Sequence, residues 1–258
     1  MLREKKYLIF YFLGAIALLF IIAPILNMFF TTELDSIFST SRDEQVRHSI
    51  FFTLRISLIA TLVCSVFAIP LSYLIARSTF KFKSILLGII SIPIVIPHSA
   101  AGIALLGFVS RDNPVGRFAE TIGLNFIDSP LGVAVAMAYV SIPFLIIASI
   151  NGFSEVPKKL EHAALNLGAS KTRMFFTITL PIAKRSVFSG LVLMFSRGIS
   201  EFGSIIMLAY FPTVTPILIY DRFTAFGLEN AKPIALIFII ICLIIFLAFF
   251  LMTNKKRK

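Results

Sequence analysis

The chain has 258 residues, of which 58% are apolar, 13% aromatic and only 14% charged, where a soluble domain carries about a quarter charged residues. A mean hydropathy of +0.94 and uncharged runs longer than a single soluble core needs exclude a globular cytosolic enzyme and place the chain among all-α integral membrane proteins. The net charge of +11 would suggest nucleic acid on a soluble surface, but its distribution, set out below, points to membrane topology instead.

Tyr7 to Phe30 holds no charge over 24 residues, about 36 Å as a helix against a hydrocarbon core of about 30 Å. Arg3, Lys5 and Lys6 precede it, but the stretch is too long for a signal-peptide core and lacks a small-residue cleavage site, so it reads as an uncleaved first span. The same scan predicts further spans at 56–76, 84–110, 129–154, 186–210 and 233–254, six in all, with both termini on one side. Cys64 and Cys242 lie inside apolar runs without Cys or His at ligand spacing, which supports neither a disulfide nor a metal site. No internal repeat or low-complexity linker divides the chain, and residues 1–258 read as one membrane domain.

The third span carries Pro93 and Pro97, each of which removes a backbone hydrogen bond and bends the helix. Irregular backbone at membrane depth is tolerated where it is buried in protein or lines an aqueous path, and both readings stay open here. His98 reads as a hydrogen-bonded residue beside the bend rather than a ligand or proton relay.

Between the fourth and fifth spans lies the longest hydrophilic stretch, 155–185. Leu160, Ala163, Ala164 and Leu167 recur at i, i+3, i+4 and i+7, one face of a short helix. Ser154 or a neighbour can cap it, Pro157 suits its first turn, and Gly168 supplies a left-handed stop. A second short helix is expected after Ser170, ending or bending at Pro181. The small-residue stripe serves either as a docking surface, with Lys158, Lys159 and Glu161 at its rim, or as packing against the protein's own helix ends. In the fifth span Arg197 and Glu201 stand at i and i+4 around Ser200. At about 2.5 to 3.5 kcal/mol per charge at mid-membrane, they should face the protein interior, as a structural pair or beside a solute path.

Lys and Arg collect in cytoplasmic loops during insertion. One side of the predicted topology holds sixteen basic residues against three acids, a balance of +13, and the other six against nine, a balance of −3; Arg55, Arg197 and Glu201 supply the remaining +1. Both termini and the 155–185 loop are therefore expected on the cytoplasmic side of the cell membrane.

The string Glu161-His162-Ala163-Ala164, then Gly168, then Ile178-Thr179-Leu180-Pro181, resembles the E-A-A-x3-G-x9-I-x-L-P loop of ABC importer permeases. One departure stands out: the position usually Glu is His162, with the acid on its neighbour Glu161. The resemblance implies a type I importer permease fold with six transmembrane helices, and a coupling helix that enters a cleft of an ATPase subunit. Leu160, Glu161, His162, Ala163, Ala164, Leu167, Gly168, Ala169 and Ser170 would form that coupling surface. No G-x4-G-K-[ST] phosphate loop occurs in the sequence, so ATP and Mg belong to a separate ATPase and this chain binds no cofactor itself.

A second likeness covers nearly the whole chain. Pro97-His98 to Gly102, Asn113-Pro114-Val115-Gly116, Arg197 to Gly203, Leu208-Ala209-Tyr210-Phe211-Pro212 and Pro216-Ile217-Leu218-Ile219-Tyr220 resemble the permease of molybdate/tungstate importers, most closely its archaeal branch. Gly198 stands where that pattern commonly has Ala. The resemblance implies a homodimeric permease in lipid, two ATPase subunits, an extracytoplasmic binding protein that delivers the oxyanion, and alternating access. Sulfate or another oxyanion is the rival substrate. An ion-coupled carrier, with Arg197 and Glu201 as coupling residues, fits the hydropathy but not the loop; a membrane enzyme lacks any catalytic motif.

Overall fold

The computed structural model describes residues 2–254, excepting the side chains of 2–8, 250 and 252–254. The basic run at 255–258 and the side chains of Arg3, Lys5 and Lys6, which contribute to the charge asymmetry, lie outside the described residues. All regular structure among the described residues is helical.

Helix α1 (Leu2–Thr31) touches α13 and leaves Phe10, Tyr11, Phe20 and Phe30 exposed along it. A short α2 (Leu34–Arg42) leads into α3 (Glu44–Arg77), which starts where the Asp43 carboxylate accepts from Gln45 N at 2.9 Å. Next come α4 (Lys83–Val95), α5 (His98–Val109), α6 (Pro114–Thr121) and α7 (Pro130–Glu155), the last capped by Ser129. The loop forms α8 (Lys158–Asn166) and α9 (Lys171–Met174), and a π turn (Phe175–Thr179) joins α9 to α10 (Leu180–Ile199). Helices α11 (Gly203–Leu208), α12 (Thr215–Phe226) and α13 (Leu228–Asn254) complete the chain. Among the described residues five helical segments are long and apolar enough to cross a membrane, six when α4 and α5, bent by 107° at their junction, count as one broken span.

Helices α3, α7 and α10 form the centre. Lipid tails are as apolar as Leu, so helices in a membrane associate through close packing of small residues and interhelical hydrogen bonds. A Cβ at Gly152 would lie 2.4 Å from Ser186 Cβ, and one at Gly190 3.2 Å from the Leu145 carbonyl, so both glycines allow α7 and α10 to approach closely. Ser57 Oγ donates to the Phe195 carbonyl at 3.1 Å, tying α3 to α10. Ser72 Oγ lies 3.3 Å from the Ile146 carbonyl of α7. Thr53 Oγ1 accepts from Thr215 N at 2.9 Å, fastening the start of α12 to α3. Around these ties pack Met137, Leu145, Met194, Ile205 and Ile217, all fully buried.

Several local expectations are revised. The fifth apolar segment, expected as one span over 186–210, is helical only to Ile199; the chain breaks at Ser200–Phe202 before the short α11. At its other end, of the two courses expected at Pro181, ending or bending, the helix does not take the first. The π turn moves the pairing to i→i+5, with Leu180 N donating to Phe175 O, so the proline, which has no N–H, sits in the first turn of α10 and the helix passes on unbroken. Ser154 lies within α7 rather than capping α8, whose N-cap position is held by Pro157. Of the two prolines in the third span, Pro93 is accommodated inside α4 and the break falls at Pro97.

Gly198 touches Ser57: a Cβ there would stand 2.5 Å from Ser57 Oγ. Gly198→Ala is therefore expected to displace that hydroxyl, costing about 1 kcal/mol through the lost hydrogen bond and overpacking. Ser57→Ala in the same chain should recover the overpacking part of the loss but not the hydrogen bond, and thermal-stability curves of the detergent-solubilised single and double variants would reveal the coupling.

Candidate functional site

Two constellations stand out, one at the loop end of the bundle and one inside it. At the loop end, α8 finishes in a complete left-handed stop: Gly168 has φ +83°, its N–H donates to Leu165 O at 3.0 Å, and Ala169 N donates to Ala164 O at 3.0 Å. Ser170 then caps α9 by accepting from Arg173 N at 3.2 Å. The four-residue apolar stripe does not form a single buried or exposed face. Ala164 turns into the protein, whereas Leu160, Ala163 and Leu167 face outward, Leu167 with 88% of its surface exposed. His162, Ser170, Lys158 and Lys159 are exposed around them, with Ala169 half-buried.

Glu161, expected at the rim, is only 6% exposed. Its carboxylate lies under α8, where the Arg77 guanidinium grips it from the end of α3: Nη2 to Oε1 at 2.7 Å and Nε to Oε2 at 2.9 Å. Thr179 Oγ1, in the π turn, donates to Oε1 at 2.7 Å. Arg77 also donates to the Val156 carbonyl at 3.1 Å and lies 5.8 Å from the centre of the Tyr73 ring. Two-pronged Arg–carboxylate pairs are among the stronger and more directional hydrogen-bonded contacts. This one holds α8 simultaneously to α3 and to the base of α10, so displacement of α8 pulls on two central helices.

Inside the bundle, the break before α5 and the break after α10 meet. Arg197 Nη2 donates to Glu201 Oε2 at 2.8 Å, and His98 Nδ1 lies 2.9 Å from the same oxygen. His98 Nε2 is 2.9 Å from Arg197 Nη2. The other oxygen, Glu201 Oε1, accepts from Ser204 N at 2.7 Å and Ser204 Oγ at 2.8 Å. Arg197 and Glu201 do not share a helix face: Glu201 lies beyond the last turn, and the broken backbone turns its carboxylate inward to 0% exposure. Two glycines permit the approach of the two broken segments. A Cβ on Gly102 would lie 2.6 Å from Ser204 O, and one on Gly203 2.8 Å from His98 Cβ. Ser200 is exposed at the edge of the cluster and receives Arg197 Nη1 at 3.3 Å.

Sequence reasoning missed Arg77, Thr179 and Ser204. Thr179 was present as the variable position of the Ile178-Thr179-Leu180-Pro181 string, and Arg77 as the last cation of the second span, but their meeting at Glu161 joins segments 84 and 18 residues away. Among the described residues no group of His, Cys, Asp or Glu is placed to hold a metal ion.

Comparison with known proteins places the chain in a family. Residues 68–257 match the model of the binding-protein-dependent transport system inner membrane component. The molybdate/tungstate transport system permease protein WtpB of Methanocaldococcus jannaschii is 38% identical over 204 residues, 79% of this chain and 80% of that protein. Its counterpart in Pyrococcus abyssi is 37% identical over 258 residues, 99% of each chain. A probable sulfate transport system permease of Chlorokybus atmophyticus is 32% identical over 195 residues, 74% of this chain and 68% of that one. Among solved structures, a bacterial ABC transporter that imports alginate superposes with a TM-score of 0.76 at 20% identity, over 99% of this chain and 98% of that chain. The inward-facing MetNI methionine ABC transporter gives 0.59 at 15% identity, over 81% and 93% of the two chains. With the family model covering most of its length and the ABC importer fold throughout, this multi-pass membrane chain belongs to the binding-protein-dependent transport system inner membrane components.

Proposed function

We propose that the chain is the permease of an ATP-driven tungstate/molybdate importer, working as a homodimer with two ATPase subunits and an external binding protein. The observation that carries this reading is the similarity, over 99% of both chains, to an archaeal permease named for molybdate and tungstate. The chain does no covalent chemistry; ATP hydrolysis belongs to a separate subunit. The charge asymmetry supports a cell-membrane location with both termini and α8 cytoplasmic. The balance of −3 on the outer loops would not attract a divalent anion, so capture belongs to the binding protein.

On this reading α8 is the coupling helix. Leu160, Ala163 and Leu167 present an apolar ridge to a cleft of the ATPase, and His162, in place of the family's usual acid, sits exposed beside it. Beneath the ridge, Glu161 grips Arg77 and Thr179, which carry any shift of α8 into α3 and α10. Closure of the ATPase pair thereby becomes a helix rearrangement that alternates access.

The substrate is tested in vesicles carrying the assembled complex and loaded binding protein. ATP-dependent tungsten accumulation, suppressed by equimolar molybdate but not by sulfate, is the expected result; suppression by sulfate alone would move the substrate to the sulfate class, and uptake that survives ATP depletion would refute an ATP-driven importer. Gly168→Val should abolish uptake while leaving oxyanion capture by the binding protein intact, because a β-branched residue at φ +83° costs about 1–2 kcal/mol or more and reshapes the end of α8. Gly168→Asn, which tolerates that conformation, should retain most uptake. Leu167→Glu should release the ATPase during mild-detergent purification, since a charge replaces the most exposed apolar contact of the ridge; full retention of the ATPase would remove Leu167 from the interface.

A further inference from the structure

The charge cluster at the two helix breaks is polarised. Both oxygens of Glu201 point into the protein and are saturated by Arg197, His98 and Ser204, and none of its surface is exposed. The Arg197 side chain keeps 21% of its surface open and that of His98 34%. Nη2 of Arg197 is committed to Glu201 and His98, whereas among the described residues Nη1 meets only the exposed Ser200 hydroxyl, at 3.3 Å. The acid faces in and the guanidinium faces out.

The depth of this cluster makes that arrangement informative. Arg197 lies twelve residues along α10 from Arg185, about 18 Å at 1.5 Å per residue. The far end of α4, at Val95, lies twelve residues from Lys83, again about 18 Å. Two independent counts from the basic boundary therefore reach the same level, inside a hydrocarbon core of about 30 Å. A guanidinium with open surface at that depth must face water or protein rather than lipid. Of the two partners only the anion is fully buried. A broken backbone is also tolerated at this depth where it lines a cavity.

We propose that Arg197, with the hydroxyl of Ser200 beside it, is the station on the solute path where a tetrahedral divalent oxyanion is held in transit, and that Glu201 and His98 position the guanidinium rather than touch the anion. The proposal rests on the oxyanion-importer reading. A planar guanidinium offers donors matched to an oxyanion's edge. The buried Glu201 keeps the local charge near neutrality, so the anion is held without being trapped, as passage requires.

Removing Arg197 would leave Glu201 buried without its partner and confuse transport with folding, so the test is made at exposed Ser200. In vesicles carrying the permease, its ATPase and the binding protein, Ser200→Asp sets a carboxylate beside Nη1. ATP-dependent tungstate uptake should fall about tenfold or more, while ATP hydrolysis stimulated by loaded binding protein persists. Uptake within about twofold of wild type would overturn the station. Ser200→Cys, in a chain with Cys64→Ala and Cys242→Ala, gives a reading that does not depend on tolerance of the acid. A negatively charged methanethiosulfonate should modify the thiol in the assembled complex, and excess tungstate should slow that reaction; an inert thiol, or one labelled equally fast with and without tungstate, overturns the proposal. A wild-type complex that accumulates no oxyanion overturns the importer reading itself, and the station with it, whereas normal wild-type uptake with undiminished uptake by Ser200→Asp removes the station alone.

Discussion

The cost of an uncompensated charge away from water governs both constellations in this molecule. A buried acid left without a partner destabilises a fold by several kcal/mol, and among the described residues two acids are buried, Glu161 at the loop end and Glu201 within the bundle. Each is surrounded by donors from separate segments: Arg77 and Thr179 for the first, His98, Arg197 and Ser204 for the second. Because the donors come from elements far apart in sequence, satisfying each acid also fixes how those elements sit together. The two acids thereby mark the attachment of α8 to the bundle and the junction of the two broken helices.

The scaffold between them is built on the same economy of polar groups. Hydroxyls of Ser57, Ser72 and Thr53 bond across helices, and glycines at 152, 190, 102 and 203 remove the side chains that would hold backbones apart. At the breaks at Pro97 and Ser200 the chain leaves the regular helical ladder, and Ala101 N donates to Pro97 O, Glu201 N to Gly198 O and Ser204 N to the Glu201 carboxylate. At Pro181 the chain takes the other course: a π turn absorbs the missing donor and preserves one continuous helix from the loop into the membrane. Continuity there matters because that helix carries Thr179 at one end and Arg197 at the other, linking the α8 attachment to the cluster.

The sequence by itself determined the membrane class, the number of apolar segments, the left-handed stop at Gly168 and the family loop, since all of these follow from composition, run length or local spacing. Hydrophobic runs report burial in lipid without needing to know the neighbours, and a glycine at a helix end reports its own backbone. What only the tertiary structure decided was the direction in which polar side chains point. Glu161 belongs to a short helix whose outward face looked equally available to it, but Arg77 and Thr179 draw it underneath, leaving Leu160, Ala163 and Leu167 as the exposed ridge. Arg197 and Glu201 stand at helical spacing, yet the helix ends between them and His98 arrives from nearly a hundred residues away. The buried acids take their positions from long-range partners, and the spacing of neighbouring residues carries no information about groups that meet only once the chain has folded.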